Sequence, residues 1–140
     1  MSGQRERLTL ARRWHAKGEE DLVAARHLLT LADAECPFAA VAFHAQQCVE
    51  KCLKAVLTAR GIDFPRIHDI GELVEMLPST ERPPLGVLLQ EKLTDYATVS
   101  RYPGDDAPLG RAEAVEAMEA AATVDRATRA LLGASRNGPT

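Results

Sequence analysis

With 140 residues, 46% of them hydrophobic and only 4% aromatic, the chain is sized for one domain whose core is filled by aliphatic residues and alanine. A formal net charge of −3 excludes the basic footprint of a duplex-DNA binder, so no duplex DNA is expected. No run approaches the ~20 apolar residues of a membrane span, and the charged N-terminal stretch lacks an apolar leader, which reads as a cytoplasmic protein.

The first predicted helix runs from about Leu8 to about Ala34. Trp14, Gly18, Leu22, Ala25, Leu29 and Ala32 follow helical spacing as its buried stripe. Cys36-Pro37 stops it, because the residue before proline avoids helical geometry. The second helix begins near Pro37 and runs to about Arg60, with Gly61 as the natural residue beyond its end. A third, short helix spans about Ile70 to Leu77, with Asp69 as N-cap and Glu72 three residues on. Pro78 ends it. The fourth spans about Leu85 to Val99, its inner face formed by Leu85, Leu88, Leu89, Leu93 and Tyr96. A loop with two prolines and two glycines follows, from Ser100 to Gly110. The fifth helix spans about Arg111 to Leu132 and is expected to end at Gly133, with Val115, Met118, Ala122 and Leu132 inward. Residues 134–140 read as a frayed tail.

No segment alternates as a strand does, and the connections are short. The fold class is therefore all-α, an antiparallel up-and-down bundle of about five helices in a single domain over 1–140, with its core at about 8–132. The basic residues Arg5, Arg7, Arg12, Arg13 and Lys17 and the acidic stretch Asp69, Glu72, Glu75 and Glu81 read as solvated faces. Cys36, Cys48 and Cys52 read as plain buried thiols. The neighbourhood of Cys48 and Cys52 lacks the second Cys/His pair of a zinc site, so neither a metal nor a cofactor is expected.

Polar residues on the second helix carry the functional interest. His44, Gln47, Lys51 and Lys54 step by three, four and three residues and share one face, separate from the apolar stripe Val41, Ala45, Val49, Cys52 and Val56. Glu50 and Lys54 form an i,i+4 pair in the favourable order. Lys51 and Lys54 are candidate phosphate ligands as point charges. His44 and Gln47 are candidates for reading a base or contacting a partner helix. His68, just before the third helix, is a candidate general base or a turn residue. Arg101, a planar fork suited to phosphate or carboxylate, and Tyr102 precede the rigid Pro103 and are expected near this polar face.

Three segments together resemble the HEPN domain family (higher eukaryotes and prokaryotes nucleotide-binding). They are Trp14 to Ala25 with Glu20-Asp21-Leu22 inside it, Phe43 to Ala55 followed by Gly61 and His68-Asp69-Ile70, and Ser100-Arg101-Tyr102-Pro103. The resemblance covers about residues 8–132. It implies a helical bundle that commonly forms a homodimer, and small stand-alone members associate with a minimal nucleotidyltransferase in toxin–antitoxin-like pairs. It also implies nucleotide binding, with His44, Gln47, Lys51, Lys54, His68, Arg101 and Tyr102 as the nucleotide- or partner-binding candidates. Ribonuclease toxins of the family carry an arginine and a histidine four to six residues apart. None of His15, His27, His44 and His68 has an arginine five to seven positions before it, so no catalytic residue is assigned. The alternatives are a metal-independent ribonuclease toxin and a purely structural helical dimer.

Overall fold

The structure is a computed structural model that describes residues 2–97 and 109–136. Five helices make it up: α1 (Ser2–Leu28), α2 (Phe38–Ala59), α3 (Ile70–Met76), α4 (Val87–Tyr96) and α5 (Arg111–Arg136), with a 3-10 turn at Ser79–Glu81. No strand occurs among the described residues. The protein is thus the all-α bundle expected. None of the described helices is long and apolar enough to cross a membrane.

Helix α2 is the axis of the molecule. Val41, Ala45, Val49, Cys52 and Val56 are all buried, as the apolar stripe requires, but so are Cys48, Leu53 and Leu57 on other sides. α1 and α5 pack along α2, and α3 and α4 cover what remains. The inner side of α5 is lined by Ala114, Ala117 and Ala121, all fully buried, with Val124 and Leu132. Small side chains there let two helices approach closely. Gly18 does the same on α1. A Cβ at that position would sit 3.2 Å from the Cys48 carbonyl oxygen, 3.3 Å from Cys52 Sγ and 3.4 Å from Lys51 Cβ.

Several boundaries differ from the sequence reading, each for a physical reason. α1 starts at Ser2 rather than near Leu8, because Gln4, Arg5, Glu6 and Arg7 are good helix formers that show no apolar period. It ends at Leu28, six residues early, and Ala32 is exposed. Arg111 explains the stop. Its guanidinium donates to the carbonyls of Leu29 (3.0 Å) and Leu31 (2.7 Å) and to Asp33 Oδ1 (2.6 Å), and lies 5.1 Å over the Phe38 ring. The carbonyls left beyond the helix end thus find partners outside any helix.

α3 begins as expected, with Asp69 Oδ1 accepting the Glu72 N–H at 3.0 Å, and it stops at Met76 with Leu77 as C-cap. α4 starts at Val87, two residues late, since Leu85 is held in a turn by its N–H to the Pro83 carbonyl and by Gln90 Nε2 on its own carbonyl. Leu88 is 66% exposed and does not belong to the inner face. Gly133 does not end α5, which continues to Arg136, so the expected tail is helical over its first three residues. A glycine ends a helix by turning left-handed. Among the described residues Gly61 alone does so, at φ 70°, and it follows α2 as expected. Buried Ala117, Ala121 and Val124 move the inward face of α5 one step round from Val115 and Met118, which are half-buried.

Candidate functional site

The close contact at Gly18 sets the first part of the site. One turn on, it brings Asp21 against α2. Asp21 Oδ1 accepts from His44 Nδ1 at 2.9 Å, and Asp21 Oδ2 accepts from Lys51 Nζ at 2.7 Å. The His44 and Lys51 side chains stay 33% and 24% exposed, and the Phe43 ring stands edge-on to His44. One carboxylate therefore fixes two cationic or polar side chains along the rim of α2.

The second part is centred on Glu50, which is buried. Its Oε1 accepts from Gln46 Nε2 and from His68 Nδ1, both at 2.9 Å, and its Oε2 accepts from Lys54 Nζ at 2.9 Å. Gln47 Nε2 donates to Gln46 Oε1 at 2.7 Å and extends the chain toward the rim. Burial pushes the Glu50 carboxyl up, but the bonds from Gln46, Lys54 and His68 outweigh it and hold the group below the usual carboxylate range. Lys54 is buried as well, with its ammonium 5.6 Å from the Trp14 ring centre and 5.7 Å from that of Phe64. Each buried side-chain nitrogen and oxygen among the described residues has a hydrogen-bond partner. His68 is the exception to the burial. Its side chain is 64% exposed while Nδ1 rests on Glu50.

The third part was not read from the sequence. His15 Nε2 is 2.7 Å from Asp125 Oδ1, and both residues are buried. Arg129 binds Asp125 Oδ2 at 3.0 Å and also binds Glu19. Donor atoms of His15, Cys52 and Asp125, from α1, α2 and α5, lie within 4.8 Å of one another, a spacing that could hold a metal ion. A usable signal existed. The run Ala11, His15, Gly18, Leu22, Ala25 keeps helical spacing, and it places His15 inside rather than Trp14, which is half-buried.

The seven candidate residues thus divide. His44 and Lys51 meet on Asp21, while Gln47, Lys54 and His68 belong to the network round Glu50. Lys54 leaves the shared polar face for the interior, as its fourfold surroundings of Glu50, Trp14, Phe64 and α2 itself dictate. Arg101 and Tyr102, and with them the expected contact to α2, lie outside the described residues. Cys36, Cys48 and Cys52 are free and buried. The Cys52 sulfur and burial push the Cys48 thiol far above its ordinary range.

A five-helix bundle wrapped round a central helix, with a histidine-, glutamine- and lysine-bearing rim, defines the class. The HEPN domain model matches residues 11–131, and the chain belongs to the HEPN domain family. Among solved structures it is similar to TT1696 from Thermus thermophilus, at 29% identity and a TM-score of 0.68, over 86% of this chain and 96% of that one. No curated protein matches the chain.

Proposed function

We propose that this HEPN domain is an interaction module: a homodimer that docks a minimal nucleotidyltransferase and binds a nucleotide along the α2 rim. The observation that supports this most is the pairing of His44 and Lys51 on one carboxylate, Asp21. Donors fixed in that way lose little freedom on binding, and they remain partly open to solvent. Gln47 stands on the same rim. A twofold axis would let one patch serve both subunits. Both lysines are ion-paired, Lys54 with Glu50 and Lys51 with Asp21, but only Lys51 stays partly exposed, and it is the one of the two that would meet a phosphate. Light scattering is expected to give the dimer mass across micromolar concentrations, and the product of a neighbouring nucleotidyltransferase gene should co-purify. His44→Ala should weaken that retention at least about tenfold, equivalent to roughly 1.4 kcal/mol, while the far-UV circular dichroism stays that of the wild type. A monomer that retains no partner would refute the reading.

A second reading, a metal-independent ribonuclease, is favoured by one feature: Glu50 orients an exposed His68 through Nδ1, as a carboxylate orients a catalytic base. A charge stabiliser beside it is also required. Purified protein is expected to leave single-stranded RNA intact. Cleavage that disappears in His68→Ala would establish the ribonuclease instead.

A further inference from the structure

We propose that His15, Cys52 and Asp125, with Glu19 as fourth donor, form a zinc-type metal site that ties α1, α2 and α5 together. The first three come from three different helices, are all buried, and bring one nitrogen, one sulfur and one oxygen within 4.8 Å of each other. Glu19 Oε2 is 3.6 Å from His15 Nε2. In tetrahedral zinc, bonds of about 2.0–2.3 Å place donors about 3.3–3.7 Å apart. Glu19 and His15 already stand at that spacing; His15 and Asp125, now 2.7 Å apart, would part to it, and the three buried donors, within 4.8 Å of one another, would close on the metal by side-chain movement. Histidine, thiolate and carboxylate together suit Zn²⁺ or Co²⁺, whereas Mg²⁺ and Ca²⁺ want oxygen alone.

Two further observations support a cation here. Arg129 bridges Glu19 and Asp125, so positive charge already sits between the two carboxylates. Its side chain is 60% exposed and is free to turn outward as a metal arrives. A shallow cavity of about 210 Å³, lined by Arg12, His15, Glu19, Arg129, Leu132 and Gly133, leads from solvent to the His15 ring. Cys48, by contrast, points to the Ala121 carbonyl oxygen at 3.9 Å and stays out of the donor set. On binding, His15 would coordinate through Nε2 as neutral imidazole, its ring proton moved to Nδ1, and Cys52 as thiolate, its proton passing to solvent.

The test uses the full chain stripped of metal and titrated with Co²⁺. Visible absorption bands with a sulfur-to-cobalt charge-transfer band should grow to one equivalent and vanish when Zn²⁺ is added. Excess Zn²⁺ should raise the melting temperature by at least about 5 °C. Cys52→Ser should lose the charge-transfer band, and His15→Gln should weaken binding. Arg129→Ala should bind roughly tenfold more tightly, because a competing ion pair is gone. A site that is only an ion-pair network would show no cobalt spectrum and no zinc-dependent melting shift, and that result overturns the proposal. So would bands that persist unchanged in Cys52→Ser. Should that variant fail to fold, Arg129→Ala decides, since unchanged or weaker affinity there also overturns it.

Discussion

Glu50→Ala is expected to destabilise the protein by about 3–5 kcal/mol, the cost of leaving a buried charge without its partner. Lys54 is that charge. It is buried, its ammonium donates to Glu50 Oε2, and the rings of Trp14 and Phe64 shield it from water. Chemical denaturation at neutral pH measures the loss. The double variant Glu50→Met with Lys54→Met should recover only part of it: apolar packing can replace the ion pair at little net cost, but the buried Gln46 amide still loses its Glu50 acceptor. Full additivity of Glu50→Met and Lys54→Met in the double variant would show that the pair is not coupled. The same carboxylate sets an acid response. Its pKa in the folded chain lies below the reference 4.5, so its contribution is complete above that value and is lost as pH falls through the folded value. The gap in stability between wild type and Glu50→Ala should therefore narrow below about pH 4.5.

Leu93→Ala should cost about 2–5 kcal/mol, whereas Leu88→Ala should stay within about 0.5 kcal/mol. Leu93 is fully buried in the main core beside Leu73 and Ile70. Leu88 is 66% exposed, next to Val87 at 69%. Urea midpoints of the two variants separate the orientations of α4 directly. Equal losses would mean that Leu88 faces inward, as the leucine pattern alone suggests.

That pair also shows what the sequence can and cannot carry. Leu88 and Leu89 are adjacent, and neighbouring helical positions do not share a face. Composition alone does not choose between them, and the turn at Leu85 that starts α4 late decides the matter. The existence of the five helices, the Asp69 cap and the left-handed Gly61 were legible because each depends on a few adjacent residues. The Glu50–Lys54 pair was legible too, but not its depth. Partners 18 residues and more away in sequence, such as His68 and Trp14, make that position an interior one. His15 with Asp125 is harder still, since the two are 110 residues apart. Arg111 joins the end of α1 from 82 residues away, so the stop of α1 could not be read locally.

The central place of α2 has a consequence for how the molecule opens. A helix packed by all four others cannot detach and leave a folded remainder, so its most buried backbone amides are expected to exchange with solvent only when the whole chain unfolds. α3 and α4 stand differently. They pack against α2 and each other, and α1, α2 and α5 keep their mutual contacts without them. The short pair can therefore lift away as a unit at lower free energy, uncovering Leu73 and Leu93. His68, on the segment leading into α3, would be drawn off Glu50 in that motion. The exposed end of the Glu50 network is thus tied to the pair of described helices with the weakest hold on the native state.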